Sequence, residues 1–233
     1  MPSGTIPANR FTAVRLLVFD LDGTLIDSKR DLILSVNAAR ERMGMMSLSD
    51  ATVLSFIGHG ARDLVRHAVA AGSGKGPQDV SESDVQRALG YFREHYAAHL
   101  LDNTVTYPGV REALARLDGR PLAVLTNKPM RFALPILDGL GITPLFRRIC
   151  GEDTFASKKP DPEGLRSLLE EFDAAPDEAM MVGDSETDVQ TARNAGTWMC
   201  GVTYGLSSHR LAEFPPDLLV SSLMDLLPVL NGE

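Results

Sequence analysis

The chain has 233 residues, 44% hydrophobic and 23% charged, with a formal net charge of −8. This composition supports a sizeable buried core and excludes wholesale disorder, and at roughly 150 residues per domain the length lies between one domain and two. The acidic balance argues against a duplex nucleic-acid binder, which needs cations facing phosphates, but it permits a local basic site for one small phosphorylated ligand.

The opening residues, MPSGTIPANRFTAVR, lack the continuous apolar stretch of a signal peptide. Val14–Asp20 is a short apolar run that stops in Asp-Gly-Thr, the pattern of a buried strand feeding a loop. Similar runs recur at Pro121–Thr126, Ala179–Val182 and Trp198–Val202, each with polar residues near its C-terminal end. Helical patterns at Gly109–Leu117, Arg131–Leu140 and Pro162–Phe172 lie between them. Alternating strands and helices predict an α/β fold, a Rossmann-like doubly wound parallel sheet with right-handed crossovers.

The segment between Asp27 and Thr104 breaks that rhythm. Apolar spacing predicts helices over Lys29–Met43, Ser49–Phe56, Ala61–Ala71 and Ser81–His99, with a flexible loop at Gly72–Pro77. A strand–helix–strand unit needs roughly 30 residues, yet about 80 lie here. The surplus predicts a helical cap domain inserted after the first strand, with residues 28–104 as cap and residues 1–27 and 105–233 as core. Cys150 and Cys200 are too few for a disulfide framework and read as small buried residues. No run approaches ~18 apolar residues, so the expectation is a soluble cytoplasmic protein that engages neither membrane nor nucleic acid. The oligomeric state, monomer or homodimer, is open.

Asp20-Leu21-Asp22-Gly23-Thr24 stands at the carboxyl end of the first strand, where open α/β sheets bind ligands. In extended chain, residues i and i+2 face the same way, so Asp20 and Asp22 present two carboxylates whose repulsion a divalent cation or a shared proton would relieve. A second strand ends in Thr126 and Asn127, hydrogen-bonding groups at the sheet edge. Lys159 precedes a helix whose first turn is set by Pro162, and a lysine beside free helix N–H groups makes an anion site. Asp184 follows a further strand beside a glycine turn, with Asp188 four residues on; such a carboxylate suits a hard cation such as Mg²⁺. Taken singly, these residues also read as helix caps and loop side chains. Their order, with gaps of 104, 33 and 25 residues from Asp22 to Thr126, Lys159 and Asp184, lets all four converge on one crevice.

From Val14 to the C-terminus this set of motifs (DxDGT, Thr-Asn, KPxP, GDSxxD) resembles the haloacid dehalogenase-like hydrolase superfamily. The resemblance implies that Asp20 is a nucleophile forming an aspartyl-phosphate and that Asp22 is the general acid/base. It makes Thr126, Asn127 and Lys159 phosphate ligands, and it gives the Mg²⁺ site to Asp20, Asp184 and the Asp22 backbone carbonyl. Asp188 is then an outer residue near the metal water or Lys159, and Lys158 a surface residue. Asp27-Ser28, Asp31-Leu32, Val36-Asn37 and Gly44 resemble the phosphoglycolate phosphatase-like branch. The cap loop Gly58-His59-Gly60-Ala61-Arg62 resembles that branch's active-site-facing loop; His59 and Arg62 are of the right type to meet a substrate carboxylate there, and Arg62 reads equally as a solvated residue of a helix's first turn. The implied activity is Mg²⁺-dependent hydrolysis of a small phosphorylated metabolite such as phosphoglycolate. A phosphomutase or pyrophosphatase of the same fold, and a phosphorylatable signalling module, are the alternatives.

Overall fold

Four apolar residues, Leu16–Phe19, form β1, fully buried and paired in parallel on both edges. A computed structural model describes residues 10–58, 60–117 and 119–232. The chain leaves β1 through a short strand β2 (Ile26–Asp27) into helices α1 (Lys29–Arg42), α2 (Asp50–Leu54), α3 (Ala61–Ala70) and α4 (Glu82–Ala98). It returns through β3 (Val105–Thr106), and then α5 (Val110–Arg116), β4 (Leu122–Leu125), α6 (Met130–Gly139), β5 (Arg148–Cys150) and α7 (Glu163–Glu171) follow. The remainder is β6 (Ala179–Gly183), α8 (Glu186–Ala195), β7 (Trp198–Val202), β8 (Leu218–Val220) and α9 (Leu226–Asn231). Among the described residues no helix is long and apolar enough to cross a membrane.

The six-stranded sheet runs β5-β4-β1-β6-β7-β8 and every pairing is parallel, as expected for a doubly wound α/β core. Side chains alternate across β1: Leu17 and Phe19 join one buried cluster, Leu16 and Val18 the other. The second cluster takes Leu165 and Leu168 of α7 with Val189 and Ala192 of α8. The first takes Val110, Leu114 and Ile136 and continues into the helical insert through Val36, Leu64, Leu89 and Phe92. The order of strands reverses at β1, whose successors lie on opposite sides, so the carboxyl ends of β4, β1 and β6 border one crevice.

Apolar periodicity located β1, β4, β6 and β7. It did not locate β5 and β8, where Arg148 and Leu219 are exposed at the sheet edges and interrupt the buried run. The insert is tied at its base by the antiparallel pair β2–β3, with Ile26 opposite Thr106 and Asp27 opposite Val105. Ser49 and Ser81 accept the Thr52 and Asp84 N–H groups and start α2 and α4. Arg40, buried within the insert, donates to the carbonyls of Met46 at 2.7 Å and Ala71 at 3.2 Å and to that of Ala68.

Asp31 fastens α1 to the returning chain. Its carboxylate accepts the N–H and Nδ2 of Asn103 and the N–H and Oγ1 of Thr104, at 2.7 to 3.1 Å. Burial alone would raise this acid, but the hydrogen bonds from Asn103 and Thr104 outweigh it and hold it below the ordinary carboxylate value. Asp31→Ala should therefore destabilise the fold by about 2 kcal/mol, or roughly 4–8 °C in melting temperature for a chain of this size. A depressed folded pKa contributes stability above the unfolded value of about 3.9 and loses it as pH falls through the folded value. The gap between wild type and variant should thus be full at neutral pH and shrink in melts recorded below about pH 4.

Candidate active site

Three adjacent strand ends supply the polar residues. After β1, the chain turns within Leu21–Ile26, held by Gly23 N–H on the Ile26 carbonyl at 2.9 Å and Leu25 N–H on the Leu21 carbonyl at 3.0 Å. Gly23 has φ of +89°, and a Cβ there would overlap the Asp184 carboxylate. The glycine of Asp-Gly-Thr thus serves two ends: it makes the turn, and it leaves room for a carboxylate from β6. After β4, Thr126 stays in register through its N–H on the Cys150 carbonyl, and its Oγ1 accepts the Lys128 N–H at 3.1 Å. After β6, Ser185 and Asp188 form a reciprocal cap on α8: Ser185 Oγ accepts the Asp188 N–H, and Asp188 Oδ2 accepts from Ser185 N–H and Oγ. This cap leaves the other oxygen of Asp188 facing the crevice.

Lys159 crosses that crevice. Its Nζ lies 2.7 Å from Asp20 Oδ1 and 2.6 Å from Asp188 Oδ1, with all three residues buried. Asp184, 2% exposed, accepts the Ser207 N–H at 2.8 Å. Carboxylate oxygens of Asp20, Asp184 and Asp188 lie within 4.8 Å of one another. Burial pushes Asp20 up to about 6, with Lys159 pulling it down and Asp188 and Asp22 pushing it up. Asp184 is also raised well above its ordinary value, first by burial and then by Asp188 and Asp20. Burial would lower the Lys159 ammonium, but Asp188 and Asp20 keep it above its ordinary value.

Asp20 and Asp22 do not share one counterion. Asp22 Oδ1 and Oδ2 lie 2.7 and 2.8 Å from Lys128 Nζ, and Ser28 Oγ donates to Asp22 Oδ1 at 2.5 Å. Lys128 also donates to the Tyr96 hydroxyl at 2.8 Å. Burial would lower Lys128, yet Asp22 and Tyr96 hold it above its ordinary value, and burial raises the Tyr96 phenol to about 12. Sequence reasoning passed over Lys128, Tyr96 and Ser207. Lys128 directly follows the Thr126-Asn127 pair, a signal that was available; Tyr96 reads as an ordinary core aromatic of α4.

Four carboxylates (Asp20, Asp22, Asp184 and Asp188) thus meet two ammonium groups, those of Lys128 and Lys159. This all-oxygen donor set with excess negative charge fits a hard divalent cation. Asp20 and Asp184 supply the carboxylates of that set that face each other, whereas Asp188 is occupied by Lys159 and Ser185. The Asp22 side chain is directed to Lys128.

Asp20, Asp22, Asp184, Lys128 and Lys159 line a cleft of about 100 Å³ with Thr126, Asn127, Phe92, Phe132, Gly58 and Gly60, small beside the 300–1,000 Å³ of drug-sized ligand sites. Asn127 Nδ2 donates to the Lys159 carbonyl at 2.9 Å. Gly58 and Gly60 bring the insert over the cleft, with Ser207 Oγ 3.5 Å from the Ile57 carbonyl. His59 lies outside the described residues. Arg62 is exposed, ion-pairs with Glu82 of α4 and does not line the cleft. Lys158 is exposed and pairs with Glu152 at 3.2 Å.

Gly23→Ala should force both a left-handed alanine and displacement of Asp184. Activity should fall by at least about 10-fold, the cost of shifting a positioned group by roughly 1 Å being up to about 100-fold, with a strain penalty of about 1–3 kcal/mol. Phosphate release and thermal melting measured on the same preparation check both effects.

The sequence family described as haloacid dehalogenase-like hydrolase matches residues 17–202. A phosphoglycolate phosphatase of Pseudomonas putida is 41% identical over 229 residues, covering 97% of this chain and 80% of that protein. One from Mesorhizobium japonicum is 38% identical over 208 residues, covering 88% and 90%. The crystal structure of a predicted phosphoglycolate phosphatase from Haemophilus somnus superposes with a TM-score of 0.87 at 33% identity, covering 93% of this chain and 98% of the other. With its parallel sheet, helical insert and strand-end acids, the chain belongs to the haloacid dehalogenase-like hydrolase family, in its phosphoglycolate phosphatase-like branch of phosphoric monoester hydrolases.

Proposed function

We propose that this phosphatase is Mg²⁺-dependent, works through an aspartyl-phosphate on Asp20, and takes phosphoglycolate or a similar small phosphomonoester. The observation that carries the reading is the Asp20–Lys159 pair at the end of β1, with Asp184 and Asp22 opening on the same small cleft. The names of the two bacterial relatives support the substrate. The antiparallel β2–β3 pair, where the chain leaves and re-enters the sheet, supports a division into a cap of residues 28–104 and a core of 1–27 and 105–233.

In the proposed reaction an Asp20 oxygen attacks phosphorus. The bond from phosphorus to the ester oxygen breaks as the Asp22 carboxyl gives its proton to the departing alkoxide. Water then attacks phosphorus, its proton passes to Asp22, the acyl phosphate bond to Asp20 breaks, and inorganic phosphate leaves. Lys159 exchanges its contact with Asp20 for one with a phosphoryl oxygen, which offsets negative charge where it would repel the nucleophile. The Thr126 hydroxyl binds a second phosphoryl oxygen. Asn127 contributes to that cradle by holding the Lys159 carbonyl, and Asp188 steadies the ammonium. Mg²⁺, held by Asp20, Asp184 and the Asp22 carbonyl, would supply further neutralisation of phosphoryl charge.

Asp20→Asn should abolish turnover, with a loss of at least ~10²-fold, while thermal stability holds or rises slightly because carboxylate crowding is relieved. Phosphate release with phosphoglycolate, read beside circular dichroism, tests this. Retention of more than about a tenth of the wild-type rate would remove Asp20 as nucleophile.

Activity should vanish on exhaustive chelation and return with Mg²⁺ but not with Ca²⁺, whose longer bonds and larger ligand number allow it to engage both oxygens of Asp20. Full activity in the chelated protein would overturn the metal assignment.

A further inference from the structure

Asp22 is held from both sides of the cleft. Lys128, at the end of β4, donates to both of its oxygens, and Ser28, where α1 begins, donates to Oδ1. The third proton of the Lys128 ammonium goes to the phenol of Tyr96, a residue of α4 in the insert that is 1% exposed. Tyr96 is itself fixed, stacked on Phe92 at 5.5 Å and edge-on to Phe132 at 5.4 Å. A carboxylate offers about four lone-pair positions. Lys128 and Ser28 take three, two on Oδ1 and one on Oδ2, so among the described residues the position left open is on Oδ2.

We propose that Tyr96, acting through Lys128, is a positioning residue that aims the free lone pair of Asp22 Oδ2 at the water of the second half-reaction. This rests on the phosphatase reading given above. The ammonium touches both oxygens of Asp22, so where it sits sets the direction of the lone pair that remains. Tyr96 leaves the Lys128 ammonium one direction in which to point its third proton, and so fixes the other two on Asp22. The insert then contributes to the hydrolytic step as well as to the walls of the cleft.

The test uses p-nitrophenyl phosphate, whose leaving group departs without a proton, so that breakdown of the aspartyl-phosphate limits turnover. Tyr96→Phe removes one oxygen and keeps the ring. It should lower kcat roughly 10-fold, the scale of one lost hydrogen bond, and lower KM in step, leaving kcat/KM within about 2-fold. Acid-quenched samples should hold more phosphoenzyme than wild type. Lys128→Met should show the same signature with a larger loss in kcat, on the order of 100-fold, and needs no change in the insert. Equal falls in kcat and kcat/KM in both variants, with no added phosphoenzyme, would overturn the role of Tyr96 and leave the phosphatase reading intact. A wild-type protein that releases phosphate from neither this ester nor phosphoglycolate would overturn that reading and the role of Tyr96 together.

Discussion

The contact between Lys159 and two buried carboxylates governs the rest of the site. An ammonium and a carboxylate taken from water each pay several kcal/mol in desolvation, and the loss is recovered only when geometry and further hydrogen bonds are good. Here Asp188 meets that requirement by also capping α8, so the residue that starts a helix is the one that steadies the lysine. Asp20 receives its share of the same cation at the end of the central strand. The arrangement is locally consistent at three levels: the helix cap, the strand end and the ion pair all demand the same side-chain directions.

A second lysine divides the labour. Asp20 and Asp22 are two residues apart, and extended geometry alone would leave them crowding each other. The turn after β1 separates them, sending one to Lys159 and the other to Lys128. The proposed reaction asks opposite tasks of the two acids, nucleophilic attack and proton transfer, and neighbouring groups of one chemical type are told apart by their surroundings. The charge left over after both pairings lies at Asp20 and Asp184, where a divalent cation would be held.

Much of the core was legible because its signals are short-range. Asp20, Thr126, Lys159 and Asp184 each follow or precede an element whose type is set by local pattern, and parallel topology gathers their strand ends without further information. Lys128 was legible in principle, one residue beyond Asn127, but its meaning depends on Tyr96, which arrives from another helix some thirty residues earlier. Arg62 shows the reverse. Its place beside two glycines suggests a ligand, yet the packing of α3 on α4 sets Glu82 next to it, a neighbour no local pattern reveals. The edge strands β5 and β8 escaped for a plainer reason: one of three residues in each is exposed, so neither presents the continuous apolar run of a doubly covered strand.

The β2–β3 ribbon has a consequence for chain entropy. Because it brings Asp27 opposite Val105, the core meets the insert as a closed loop whose two ends are already together. Closing a loop of about 80 residues in place of one of about 30 costs only on the order of 1 kcal/mol, since the penalty grows with the logarithm of length. The central sheet can therefore carry a large helical attachment, or one of quite different size, at nearly constant expense. That attachment becomes the part of the molecule freest to diverge, except where, as at Tyr96, it is bonded to the core side of the ribbon.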